Sequence, residues 1–451
     1  MKRIIIFIII ITSLAFTTLM SENNHPVLKL HYTLTITDPE SQKAQVKLLV
    51  KNYNGKIIKL KFHPFYEGEK VIEPLNIKLK TADSSVSKII RQGLFYIVQN
   101  GSNSDFEVNY EIFINKYRNV PPAPAGYLCG TYLLTTAAWT FLIPDGITAD
   151  EYSVEFRLPE KWVVACPWRK NGNNYIETNF NRFIEAAFGA GDFEIREKNI
   201  NGTLARITVD KNFDGKSRTN FIENYFKIFS NIKSIFGASS PDTHLSIIVR
   251  SKKDNEWQWN NESCYSQGEA MQNLGSAYYQ CSHRIFHTYN AFYPNGMNIE
   301  PTWFNEGVNE YFDILMLMDI RYGNPLKELE KKYRENYIIN RDKYDAPLKG
   351  NTVIPGNWEK TSFLAYSKGA LTAFLLDLEI RKKTGNKKSL KDVLKKLYQE
   401  YGMNYDKKIT DNVISKTVSE IASEDMSGFF GKYIQKNTFL EMNALFSDTD
   451  K

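Results

Sequence analysis

His283-Arg284-Ile285-Phe286-His287, with Glu306 following after eighteen intervening residues, is the stretch from which the rest of this chain is read. Positions i and i+4 share one face of a helix, so the two imidazoles can reach a single ion while Glu306, from a second helix, supplies a third ligand. A fourth position would hold water. In the H-E-x-x-H arrangement a glutamate after the first histidine takes a proton from that water as it attacks a peptide carbonyl. Here that place belongs to Arg284, a permanent cation that cannot act as a base.

Outward from this stretch, Glu306 opens a helix running to about Met318, a third helix is read from Tyr366 to Arg381, and two more pass through Val413–Ile421 and Met426–Ile434. Upstream, Phe221, Tyr225, Ile228, Phe229, Ile232 and Phe236 trace one apolar face that Gly237 ends, and a strand, Leu245 to Val249, follows. Before residue 190 the period is two. Leu28, Leu30, Tyr32, Leu34 and Ile36 alternate, Val46, Leu48 and Val50 resume the pattern, and Phe106, Val108, Tyr110, Ile112 and Ile114 repeat it. Asn54-Gly55 is a hairpin signal, and Pro121-Pro122-Ala123-Pro124 reads as a linker or rigid loop. The expected architecture is a multidomain α+β chain, with a β-sandwich-like domain over residues 22–190 and a mainly helical domain over 191–451.

At 451 residues the chain is long enough for two or three cores. Its net charge of +6 is spread too thinly to favour nucleic acid as a partner. Lys2 and Arg3 precede an apolar run, Ile4 to Phe16, with small or polar residues after it, so residues 1–21 read as a signal peptide and the mature chain as exported, periplasmic or extracellular. A membrane enters only through that leader, if it is kept as an anchor. In an exported chain Cys129, Cys166, Cys264 and Cys281 allow two disulfides, read here as Cys129 to Cys166 and Cys264 to Cys281, with buried free thiols as the alternative.

Further motifs surround the ligand pair. Trp303-Phe304-Asn305-Glu306-Gly307 places the acid as gluzincin peptidases do, and Ala365-Tyr366-Ser367-Lys368-Gly369-Ala370-Leu371 matches the segment whose tyrosine hydrogen-bonds the tetrahedral intermediate. With Phe188-Gly189-Ala190-Gly191-Asp192-Phe193 and the helix after Tyr366, the mature chain resembles the glycyl aminopeptidase family of zinc metallopeptidases. The resemblance implies an N-terminal β domain and a thermolysin-like catalytic domain. It also implies His283, His287 and Glu306 as zinc ligands and Tyr366 as the oxyanion donor. Arg284 stands where the family has its general base. Glu269-Ala270-Met271-Gln272-Asn273 is similar to the family's motif for a substrate's free amino terminus, which makes Glu269 and Gln272 substrate-binding candidates, with Gln272 in place of a glutamate. Glu310, four residues after Glu306, reads as a hydrogen-bonding partner behind the ligands.

Three functions stay open at this level. The chain is a catalytically impaired homologue that keeps zinc and binds a peptide, protein or other anionic ligand; or an active zinc aminopeptidase in which Glu269 or Glu310 is the base; or a metal-free scaffold. The first follows from Arg284. A guanidinium about 5 Å from zinc at an effective dielectric near 20 is repelled by on the order of 6 kcal/mol, which weakens metal affinity and draws anions.

Overall fold

The computed structural model describes residues 27–63, 74–81, 87–101, 104–114, 126–237, 242–250, 255–259, 263–268, 274–291, 296–322, 324–350, 357–404 and 406–446. Residues 1–21, read above as a signal peptide, lie outside these residues, as do the proline-rich stretch, Glu269 and Gln272.

The period-two segments become strands that pair with their apolar positions in register. Lys29–Thr35 lies antiparallel to Lys43–Lys51, setting Leu30 against Val50, Tyr32 against Leu48 and Leu34 against Val46. Lys43–Lys51 in turn pairs with Phe106–Phe113, and Glu151–Arg157 runs parallel to Lys29–Thr35 on its other side. These strands belong to a seven-stranded sheet, and two four-stranded sheets share its core. The inward tyrosines are satisfied: Tyr32 donates to the Leu142 carbonyl (2.8 Å), and Tyr110 donates to Thr140 O (3.1 Å) while accepting from Leu142 N (3.0 Å).

Asn54-Gly55 does not form the expected hairpin. The strand after it, Ile57–Lys61, pairs with Phe95–Gln99 in a different sheet, so this turn carries the chain across the sandwich. The Cys129 to Cys166 bond is also absent, and Cys281 is free, which excludes the Cys264 to Cys281 bond. Cys166 is fully buried in the sandwich core, where burial pushes its thiol up to about 12, whereas Cys129 packs in another cluster and Cys281 faces the helical core.

From Phe193 a five-stranded mixed sheet follows, in the order Phe193–Ile200, Thr203–Asp210, Thr243–Arg250, Ser263–Gly268, Asn255–Trp259. Its first strand is not evident as apolar alternation, because most of Phe193–Ile200 is solvent-facing. Thr203–Asp210 and Thr243–Arg250 are parallel. Parallel neighbours need a crossover, and helix α1 (Gly215–Phe236) supplies it, capped by Asp214 and ended by Gly237 in the left-handed region (φ 64°). Helix α2 (Leu274–Asn290) packs on α1 through Phe221 and Tyr278 (ring centroids 4.9 Å) and Phe236 and Phe286 (5.0 Å). Helix α3 (Thr302–Asp319) packs on α2 through Phe286 and Phe312 (5.3 Å). The segment expected as one helix from Tyr366 is a wider π-turn, Phe363–Lys368, continuing into helix α4 (Gly369–Lys383). Among the described residues no helix is long and apolar enough to cross a membrane.

Candidate metal centre

Four-residue spacing on α2 brings His283 and His287 to one face, and α3 delivers Glu306 opposite them. His287 Nε2 lies 3.1 Å from His283 Nε2 and 3.2 Å from Glu306 Oε2, and His283 Nε2 is 3.5 Å from the same oxygen. Ligands about 2.05 Å from a tetrahedral ion stand about 3.3 Å apart. The three atoms already have that spacing.

Each imidazole is oriented from behind. His283 Nδ1 is 2.7 Å from Asp313 Oδ2, and His287 Nδ1 is 3.0 Å from Asn290 Oδ1, whose amide donates to Asn305 O (2.8 Å). With Nδ1 as the donor in both rings, each Nε2 lone pair is directed inward, the arrangement that holds a divalent ion. His283, His287 and Glu306 therefore fit zinc, which when bound would polarise a carbonyl or lower the pKa of water.

Burial lifts Asp313 to about 6, while at His283 burial pulls down and is outweighed by the Asp313 carboxylate, which holds the imidazole up. At Glu306 burial acts to raise the carboxyl, but the two histidines keep it well below the usual range. His287 is lowered, mainly by burial. Burial, followed by the charge of Glu306 and a hydrogen bond to it, raises the Tyr366 phenol, so this hydroxyl stays protonated and able to donate.

Tyr366 reaches Glu306 because two glycines let their helices touch. A Cβ on Gly307 would stand 2.5 Å from the Gly369 carbonyl carbon and 2.9 Å from Ala365 O. The buried Lys368 ammonium fixes the π-turn from behind, bonding Asp345 Oδ1 (2.7 Å), Ala346 O (2.6 Å) and Asn437 Oδ1 (2.6 Å). Arg284 is half-buried, and its charge opposes protonation of His283 and His287 and lowers Tyr366. The guanidinium thus acts on the centre.

Glu310 accepts from Tyr279 and from Lys332 Nζ (2.5 Å). With His283 and Asp313 it makes a second group whose ligand atoms lie within 4.8 Å of one another. Asp313, Asn290, Tyr279 and Lys332 are not evident from spacing to the motif alone. A signal existed for one of them: Glu306, Glu310 and Asp313 fall at i, i+4 and i+7, one face of α3.

Residues 31–192 match the model of the Peptidase M61 N-terminal domain. No curated protein matches the chain. An aminopeptidase N family protein from Idiomarina loihiensis is similar over 92% of this chain and 77% of its own, with TM-score 0.72 and 18% identity. An M1 zinc metallopeptidase from Deinococcus radiodurans is similar over 92% and 95% (TM-score 0.53, 12% identity), and yeast LTA4 hydrolase over 92% and 68% (TM-score 0.52, 12% identity). At these identities the likeness is one of fold. Residues 31–192 thus match a Peptidase M61 N-terminal domain, and the chain as a whole has the fold of these solved structures, with His283, His287 and Glu306 grouped so that they could hold a metal ion.

Proposed function

We propose that this protein is an exported homologue of the zinc aminopeptidases that keeps zinc on His283, His287 and Glu306 and binds peptides there, with hydrolysis impaired or lost. The observation that carries this reading is Arg284 beside His283, in a centre where each described carboxylate is engaged. Glu306 meets both histidines, Asp313 holds His283, and Glu310 is tied to Tyr279 and Lys332. A base is worth roughly 10²–10⁴ in rate, and Glu310 would have to break an ion pair to act as one. Export is supported by Lys2, Arg3 and the apolar run after them.

Peptidase assays of the zinc-loaded protein test the reading. Wild type is expected to turn over unblocked dipeptides slowly or not at all, with Arg284→Glu raising turnover by about 10²-fold or more. Brisk, chelator-sensitive turnover by wild type would overturn it, and a steep loss in Glu310→Gln would then assign Glu310 as the base. Metal analysis separates the scaffold alternative: stoichiometric zinc that disappears in His283→Ala excludes it.

A further inference from the structure

The four-stranded sheet ordered Ile143–Pro144, Ile57–Lys61, Phe95–Gln99, Lys88–Gln92 buries one face in the sandwich core through Ile58, Leu60, Tyr96 and Val98. Its outer face mixes apolar side chains with lysines. Register sets Ile97 between Lys59 and Ile90, and in the next row sets Gln99 between Ile57 and Lys88. Ile57 is 54% exposed, Ile90 41%, and Leu94, in the turn joining the last two strands, 59%.

The charge on this face has one sign. None of the four strands contains an acidic residue. Lys59 and Lys61 place their ammonium groups over the Phe95 ring, 5.8 and 5.7 Å from its centroid, and Lys61 pairs with Asp145 (2.6 Å). Among the described residues no carboxylate pairs with Lys59 or Lys88. The seven-stranded sheet on the other side of the sandwich treats its lysines differently: Lys29 meets Glu151 (3.4 Å) and Lys47 meets Glu107 (3.7 Å).

Three strands of five residues make a surface of roughly 14 by 17 Å. Exposed aliphatic groups interleaved with ammonium groups match a partner that is apolar beneath and anionic above, because lysine stems lie along apolar surface while their heads reach phosphates. A second copy of the chain is a poor partner, since a twofold contact would set lysine against lysine. The chain also enters the fold at this sheet: Asn52 Nδ2 donates to Val27 O (2.9 Å), five residues before Ile57. Ten residues separate Val27 from the apolar run Ile4–Phe16, a reach of at most about 35 Å. A leader held in a membrane would keep the start of Ile57–Lys61 close to it.

We propose that this outer face docks on an anionic lipid bilayer, with Ile57, Ile90 and Leu94 entering the interface and Lys59 and Lys88 meeting lipid phosphates. The proposal is independent of what the metal centre does.

Co-sedimentation with vesicles tests it, using the mature chain, residues 22–451, because the leader would bind vesicles by itself. Partition is expected to be about tenfold or more stronger on vesicles of phosphatidylcholine with phosphatidylglycerol than on phosphatidylcholine alone, and to weaken in about 0.5 M salt. Lys59→Gln with Lys88→Gln should lower it by about tenfold or more, whereas Lys29→Gln with Lys47→Gln, an equal change of charge on the other sheet, should lower it by less than about twofold. Ile57→Ser with Leu94→Ser should also lower it by about tenfold. Circular dichroism checks folding, and if the apolar pair does not fold, the two lysine pairs decide. Equal partition onto both kinds of vesicle, or equal loss from both lysine pairs, overturns the proposal. So does an absence of vesicle binding, which would leave an acidic protein as the partner of this face.

Discussion

Asp313 is buried 2.7 Å behind His283, and its carboxylate both fixes the ring and makes Nε2 a better donor to a metal. Asp313→Asn is therefore expected to weaken zinc binding by about 10- to 100-fold with the fold intact, measured by competition with a chromophoric chelator; unchanged affinity would deny Asp313 this role. The shared face of the candidate ligands His283 and His287 is legible in the sequence, because four-residue spacing on one helix determines it. Asn290 is not, since its role depends on the path of the chain from α2 to the Asn305 carbonyl. Cysteine pairing misleads for the same reason: nearness in sequence puts neither Cys129 beside Cys166 nor Cys281 outside a packed helix face.

Between elements, the contact that matters most is α3 against the π-turn. Gly307→Ala puts a methyl into the backbone of Gly369 at 2.5 Å, and backbone cannot rotate aside as a side chain does. A loss of about 3 kcal/mol in urea unfolding is expected, together with weaker ligand binding as Tyr366 moves away from Glu306; a wild-type melting curve would show that the helices part freely. A second element-level test lies in α1, whose buried Lys233 donates to Thr203 and whose pKa falls, chiefly through burial, from 10.5 to about 8. Between those values the unfolded lysine holds more protons than the folded one, so this group makes stability rise as pH increases through that window. Lys233→Met should flatten the rise in urea midpoint between pH 7.5 and 9.5, and an identical slope in the variant would refute the assignment. Apolar periodicity makes α1 visible in the sequence, and the place of Glu306 after the histidine pair points to α3. It does not reveal the π-turn, which depends on Lys368 finding three partners from distant segments, nor Phe193–Ile200, whose outer face is polar.

Over the whole molecule, the strand Thr243–Arg250 joins the halves. Leu245, Ile247 and Val249 face a small cluster with Tyr132, Leu134, Ala187 and Phe193, while Ile248 turns to the core beneath α1, which explains why this segment is apolar on both faces. Gly189 allows the approach: a Cβ there would meet Leu133 O at 2.8 Å and Ile247 Cδ1 at 3.4 Å. The β domain is thus packed directly on the sheet that carries α1 and, through α1, the metal helix α2. Ile247→Ala removes buried volume from this seam and is expected to cost about 2–5 kcal/mol. Because the seam is shared, hydrogen exchange should speed up both in Tyr132–Thr136 and in α2, although only one residue has changed. Faster exchange in one half with the other unaffected would mean that the halves are energetically separate, and that the metal centre owes its geometry to the helical core alone.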